Sequence, residues 1–313
     1  MIIDMEHQMT ISPRGKGKNT RKLVDGKVVF IKGSVHSSVE ANLEFMDKAG
    51  IDMAMISPGG SDLDSLKRST DAVAKVVKQY PKRFIAFASV LPFGGKPAFD
   101  EMERAIKDLG MKGIHITARP EGQLLDSKEL WPFYEKVSEL GVPIDVHIWG
   151  SGDYDATRAD YGLSYVLTRE FDICAATFRI CLGGVMEDFP DLVFIVNHFG
   201  GGISAVMERF DVYLRDMGDS FYPGKPLISK PWREYFNKLY FSIAGREIGV
   251  ASLKCALTTI SPKKIMFATD WPWNFEDNPQ DAKKWVEEIR KLGLSKSDTE
   301  GILGGNAAKL LGI

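Results

Sequence analysis

Four residues at the ends of predicted strands could together bind a divalent metal ion. Glu6 ends the first strand, His147 lies near the end of the fifth, and His198 and Asp270 follow the sixth and the eighth. When parallel strands close into a barrel, their carboxyl ends meet at one rim, where active sites lie. Two imidazoles and two carboxylates at that rim predict a metal site with one acid–base group to spare.

Each of these four residues also has an ordinary structural interpretation when it is considered alone. A histidine at a strand end is more often hydrogen-bonded within the fold than bound to a metal, and an aspartate before Trp271-Pro272 also fits a turn. Four such residues at equivalent strand ends are much harder to explain by chance. The convergence of the set, rather than any single member, therefore favours a catalytic metal site.

Side-chain alternation along a strand predicts which of these groups face inward. In the fifth strand the apolar residues alternate with Asp145 and His147, so His147 is expected inside the barrel. In the first strand, the same rule places Asp4, Glu6 and Gln8 on one face and His7 on the other.

The elements that position these residues alternate in type along the chain. After residue 37, segments with the periodicity of an amphipathic helix alternate with short apolar segments, which predicts a parallel sheet. The predicted strands are 2–6, 51–56, 84–90, 112–117, 142–148, 192–197, 239–243 and 264–269. Eight such units predict an α/β fold, a single (β/α)8 TIM barrel with a long loop at 9–36 after strand 1 and a C-terminal helix. An open doubly wound sheet is the alternative, weakened because no dinucleotide-binding glycine motif follows the first strand.

Composition excludes several classes of protein. The 313 residues carry 40 basic and 42 acidic side chains, so the net basic charge of a nucleic-acid-binding protein is missing. No apolar segment approaches the roughly 20 residues that a membrane helix needs. The three cysteines show no metal-binding or redox spacing, and the N-terminus has no secretory signal pattern. We therefore expect one domain, 1–313, in a cytoplasmic protein with reduced thiols.

Segments across nearly the whole chain carry a resemblance to a known family. They are IDME at 3–6, LGVPIDVH at 140–147, FPDLVFIVNHFGG at 189–201, FATDWP at 267–272 and ILGGNAAKLL at 302–311. In this order they resemble the amidohydrolase-related family that includes aminocarboxymuconate-semialdehyde, resorcylate and carboxyvanillate decarboxylases. The resemblance implies a metal-dependent barrel enzyme, and it implies a homo-oligomer, a dimer or larger.

The resemblance also implies roles for individual residues. Glu6, His147 and Asp270 match the metal ligands of the family, and His198 matches its acid–base histidine. The second ligand of the first-strand motif falls on Gln8, which departs from the family pattern because an amide oxygen is a weak ligand for a transition metal. Zn²⁺ or Mn²⁺ is the expected ion, with Mg²⁺ also compatible with a ligand set rich in carboxylates.

The leading hypothesis is non-oxidative decarboxylation of a small aromatic or unsaturated carboxylic acid, in which Asp270 protonates the carbon that loses CO₂. The alternative keeps the same site and activates water, either to hydrolyse a lactone or amide or to hydrate a double bond. A barrel that binds without catalysis is a third interpretation, which the presence of both histidines and Asp270 disfavours. We expect the substrate to be contacted by Arg246, Arg119, His115, Trp149 and Gln8.

Overall fold

The structure is a computed structural model. It describes residues 1–7, 20–24, 27–31, 39–148, 161, 163–216, 224–245, 249–272 and 278–313. The strands are β1 (Ile3–Asp4), β2 (Thr20–Val24), β3 (Lys27–Ile31), β4 (Met53–Ile56), β5 (Phe84–Ser89), β6 (Gly113–Thr117), β7 (Ile144–His147), β8 (Phe194–Val196), β9 (Tyr240–Ser242) and β10 (Ile265–Met266). The helices are α1 (Val39–Ala49), α2 (Leu63–Gln79), α3 (Gly95–Lys107), α4 (Trp131–Leu140), α5 (Arg169–Leu182), α6 (Val185–Asp188), α7 (Met207–Asp216), α8 (Trp232–Phe236), α9 (Gly249–Ala256), α10 (Pro279–Arg290), α11 (Lys296–Glu300) and α12 (Asn306–Leu311).

Eight parallel strands form the barrel that the sequence predicts. They are ordered β1-β4-β5-β6-β7-β8-β9-β10, so each strand pairs with its neighbour along the chain. Two backbone hydrogen bonds join the last strand to the first and close the ring, from Met5 N to Phe267 O (2.9 Å) and from Asp270 N to Glu6 O (2.8 Å). This closure sets the backbone of Asp270 directly beside that of Glu6.

Two apolar clusters hold the barrel together. The larger one packs the outward faces of the strands, such as Ile144 and Val146, against helix residues such as Phe133 and Val137. The smaller one fills the lower interior of the barrel. Its members come from strands on opposite sides and from the last helix, and they are Ile3, Met5, Met55, Ile85, Phe87, Ile195, Met266, Ala307 and Leu311. The interior is therefore apolar below, which leaves the carboxyl ends of the strands for polar groups.

Several local expectations differ from the structure. Part of the segment predicted as a loop after the first strand forms the antiparallel β2–β3 hairpin. Helical periodicity predicts the second helix at 71–80. It begins earlier, at Leu63, because Asp62 and Ser65 form a capping box. Asp126 and Glu129 have the spacing of a capping box. No helix begins there, since the Asp126 carboxylate pairs with Arg179 (2.9 Å) instead.

The sequence pattern predicts a long helical stretch at 164–188, and in the structure this stretch is divided into three parts. A π-helical turn at Ser164–Thr168 leads into α5, and a break at residues 183–184 separates α5 from α6. The break contains Gly184, whose φ of 82° is left-handed. Among the described residues, no helix has the length and apolar character needed to cross a membrane.

Candidate metal centre and active site

Three side chains from three strand ends meet at the carboxyl-terminal rim of the barrel. Glu6 Oε1 lies 2.8 Å from His147 Nε2 and 3.4 Å from His198 Nε2. Among the described residues, these three form the group whose possible ligand atoms all lie within 4.8 Å of one another. The oxygen Glu6 Oε2 also accepts a hydrogen bond from Ser242 Oγ (3.2 Å), on β9.

The charges of this group are set by their mutual contacts. Burial opposes ionisation of Glu6, which is only 1% exposed, but His147 and His198 together hold the pKa of its carboxyl well below the usual range. Burial disfavours the protonated form of His198, yet its hydrogen bond to Glu170 and its contact with Glu6 raise its pKa well above the ordinary value. Without a cation, the ionised Glu6 therefore favours the protonated form of His198.

His198 is fixed by the backbone and by an acidic partner. The chain from His198 to Gly202 has five consecutive residues with positive φ, between 53° and 75°. Glu170 Oε1 lies 2.7 Å from His198 Nδ1. A carboxylate on Nδ1 favours the tautomer that carries its proton there, which leaves the lone pair of Nε2 for a cation beside Glu6.

A second histidine–carboxylate pair lies beside His147. Asp145 Oδ2 is 2.7 Å from His115 Nδ1, and the His115 and His147 rings are 5.5 Å apart between centroids. Asp145 is fully buried, and that burial raises its pKa. His115 is 17% exposed and faces into the barrel from β6, so it is the partly accessible member of this pair.

The first strand corrects the predicted alternation. His7 Nδ1 lies 2.9 Å from Asp4 Oδ2, and its Nε2 lies 2.9 Å from the side-chain oxygen of Asn42 on α1. Asp4 and His7 thus share the helix side, whereas Glu6 points inward. The prediction that Asp4 shares a face with Glu6 is wrong, because the chain bends at Met5, where Glu6 N donates to Asp4 Oδ1 (3.2 Å).

Asp270 lies at the same rim, following β10. It is buried, its φ is 49°, and its amide N donates to the Glu6 carbonyl. The preceding Thr269 is held by Asp4, which accepts hydrogen bonds from the Thr269 amide (2.9 Å) and hydroxyl (2.5 Å). The compact ligand group thus contains His198 where the sequence analysis placed Asp270, and the role of Asp270 stays a prediction.

The predicted substrate contacts have different outcomes. Arg119 follows β6 at the rim, and its Nε donates to Asp172 Oδ1 (2.9 Å), on α5. Gln8, Trp149 and Arg246 lie outside the described residues. Sequence reasoning missed Glu170 and Asp172, two acids inside the predicted helical stretch that the structure places in the first turn of α5.

The residues of the compact group fit a divalent metal ion. One ionised carboxylate and two imidazoles are donors that Zn²⁺ and Mn²⁺ accept. Within the described part of the chain, the buried Nε2 of His198 has no hydrogen bond of good geometry, and it points at the same place as Glu6 Oε1. A cation between these atoms would bind the Glu6 carboxylate and the Nε2 lone pairs of His147 and His198 at the same time.

Comparison with known proteins finds relatives that match most of the chain. A family profile described as Amidohydrolase matches residues 31–313. The 2-amino-3-carboxymuconate-6-semialdehyde decarboxylase of Dictyostelium discoideum is 28% identical over 252 residues, which are 80% of this chain and 67% of the relative. A gamma-resorcylate decarboxylase of a Polaromonas species is 26% identical over 295 residues, 87% of this chain and 86% of the relative. A 2-keto-4-carboxy-3-hexenedioate hydratase of a Sphingobium species is 28% identical over 247 residues, with coverage of 67% and 68%.

Solved structures share the whole fold. The 5-carboxyvanillate decarboxylase of Sphingomonas paucimobilis has a TM-score of 0.82 at 21% identity, covering 100% of this chain and 99% of that one. A dihydroxybenzoic acid decarboxylase from a Polaromonas species, solved with manganese and 2-nitroresorcinol, has a TM-score of 0.78 at 24% identity, covering 99% and 96%. At these identities the likeness establishes the barrel architecture of the chain.

Proposed function

The chain belongs to the amidohydrolase family, and we propose that it is a metal-dependent decarboxylase that removes CO₂ from a small aromatic or unsaturated carboxylic acid without an oxidant. The observation that carries this proposal is the convergence of Glu6, His147 and His198 within 4.8 Å at the barrel rim. The decarboxylases among the relatives support the substrate class.

Glu6 and His147 are the proposed core of the metal site, completed by His198 or by Asp270. A divalent ion bound there would neutralise the charge of a substrate carboxylate and of a neighbouring hydroxyl and would fix their orientation. Manganese is the proposed ion because a related decarboxylase structure contains it. Zinc is the alternative, because it also accepts one carboxylate and two imidazoles as ligands.

The proposed reaction replaces a carbon–carbon bond with a carbon–hydrogen bond. Asp270, as the acid, transfers its proton to the ring carbon that bears the carboxylate. The bond from that carbon to the carboxylate then breaks, its electron pair remains on the ring, and CO₂ leaves. His198, held by Glu170, donates or accepts a hydrogen bond at the substrate oxygen. The net change is uptake of one proton for each CO₂ released.

The remaining groups at the rim are proposed to bind the substrate anion. Arg119 offers a guanidinium, which holds a carboxylate through two parallel hydrogen bonds. His115, fixed by Asp145, is placed to contact the ring or a hydroxyl. Gln8, Trp149 and Arg246 are retained as substrate contacts on the sequence argument alone.

One alternative reaction has a specific observation in its favour. The hydratase among the relatives shows that a related chain adds water to a double bond. In that case, His198 would act as the base toward water rather than as a partner of the substrate oxygen. Hydrolysis of a lactone or amide rests on the same water-activating chemistry.

Metal analysis combined with product analysis tests the proposal. The purified protein is measured for metal by plasma mass spectrometry and then assayed with hydroxybenzoates for CO₂ release. About one metal ion per chain and CO₂ formation are the expected results. Turnover of unsaturated acids, lactones or amides without CO₂ would favour the alternative, and absence of bound metal after soaking would refute the metal-dependent mechanism.

We also propose that the chain forms a homo-oligomer, a dimer or larger, and that it is cytoplasmic. Exposed apolar side chains at Val166 and Leu167 offer a surface that a second copy could cover. All three cysteines are free thiols, as expected in a reducing compartment. Light scattering in solution tests the first point.

A further inference from the structure

The first turn of α5 contacts two residues at the rim of the candidate site, His198 and Arg119. This helix belongs to the segment that connects β7 to β8, and β7 lies between β6 and β8 in the barrel. His147 ends β7, Arg119 follows β6, and His198 follows β8. The amino-terminal end of α5 is therefore flanked by the two loops that carry Arg119 and His198.

Two acids in this turn reach in different directions. Successive residues of an α-helix are rotated by about 100°, so side chains two positions apart diverge by about 200°. Glu170 contacts His198 Nδ1 (2.7 Å), and Asp172 contacts Arg119 Nε (2.9 Å). A spacing of two residues is thus suited to hold groups on both sides of His147.

The contacts around this turn restrict its position. Asp172 is only 6% exposed, so its carboxylate has exchanged water for Arg119. On the other side, a Cβ added to Gly201 would lie 2.0 Å from the Glu170 carbonyl oxygen. The loop that carries His198 therefore packs directly against the helix backbone.

We propose that the first turn of α5 positions two groups of the active site through two different acids. Glu170 orients His198 for proton transfer, and Asp172 orients Arg119 so that its guanidinium can bind the substrate carboxylate. Because Arg119 Nε donates its hydrogen bond to Asp172, both terminal amino groups of Arg119 are left to bind the substrate carboxylate. Within the described part of the chain, neither of these two groups donates a hydrogen bond. The inference rests on the proposed function for its substrate class, whereas the separate roles of the two acids rest on the geometry.

Two charge-neutralising variants test the roles of Asp172 and Glu170 separately, and a third variant is the control. Asp172→Asn should weaken binding of salicylate and raise KM by about 10-fold, with kcat changed less than twofold. Glu170→Gln should lower kcat by about 10- to 100-fold, the range that supporting groups of a metal site typically show, and leave salicylate affinity unchanged. Asp126→Asn removes a carboxylate–arginine contact with Arg179, about 10 Å further along the same helix, and should change neither.

The measurements are calorimetric titration with salicylate, steady-state turnover of hydroxybenzoates and thermal denaturation, all on the metal-loaded protein. If Asp172→Asn binds salicylate as the wild type does, or if both variants lower kcat and affinity together with the melting temperature, the inference is overturned. Failure of the wild type to bind salicylate also overturns it. If the wild type binds salicylate without releasing CO₂ while Asp172→Asn binds it weakly, the inference stands and decarboxylation is refuted.

Discussion

Replacing Glu6 with glutamine gives the sharpest test of the candidate metal centre. The Glu6 carboxylate lies 2.8 Å from His147 and 3.4 Å from His198, and it accepts a hydrogen bond from Ser242. Glutamine has nearly the same shape, but it loses the negative charge and places an NH₂ donor where one oxygen was. The substitution therefore removes the anion of the site while it preserves the packing.

The expected loss of metal affinity follows from the position of this group. Changing a residue that merely supports a metal ligand typically weakens metal binding by about 10- to 100-fold. Glu6 is a proposed direct ligand and the one group of the compact cluster that is negatively charged, so we expect a loss of at least about 100-fold. That factor corresponds to about 2.8 kcal/mol in binding free energy.

The assay is a competition between the protein and a chelator for Mn²⁺, with metal per chain measured by plasma mass spectrometry. Glu101→Gln is the matched control, because Glu101 is also a buried carboxylate but pairs with Arg104 in the outer helix layer. The control should bind metal as the wild type does. A Glu6→Gln protein that is folded and binds Mn²⁺ within threefold of the wild type would refute the site.

Three further outcomes are expected. His198→Asn should lower turnover by about 100-fold or more; retained metal would identify His198 as the acid–base group, and lost metal would identify it as a ligand. Bound metal should be released as the pH falls, because protons compete for His147 and for His198, whose pKa is raised in the metal-free site; full retention at about pH 4 would contradict this ligand set. Gly113→Ala should reduce the free energy of unfolding by about 1–3 kcal/mol, because its Cβ would lie 2.5 Å from the Phe87 ring. Gly59→Ala, with open space around it, should be neutral in the same denaturant titration.

The barrel and the meeting of its strand ends could be predicted because both depend on simple periodicities. Alternation along β7 placed His147 inside, and the position of His198 after β8 placed it at the same rim. The irregular end of β1 could not be predicted in this way. A local hydrogen bond from Glu6 N to Asp4 Oδ1 bends the chain and cancels the alternation that the prediction relied on.

The supporting acids could not be predicted either. Glu170 reaches His198 and Asp172 reaches Arg119 across 28 and 53 residues of sequence, respectively. Neither separation has a periodicity, and an acid in the first turn of a helix has an ordinary explanation in the helix dipole. Only the contacts of these two acids with His198 and Arg119 distinguish them from other acids near the start of a helix.

The left-handed backbone at the rim has a consequence for how this protein would evolve. Non-glycine residues with positive φ are strained by about 1–3 kcal/mol, and His198 (φ 53°) and Asp270 (φ 49°) both have such a backbone. Glycine would relieve that strain at either position. A laboratory selection for thermostability that ignored catalysis should therefore enrich glycine at these two positions, and the enriched clones should be more stable but inactive. The rim is a place where the fold and the chemistry favour different amino acids.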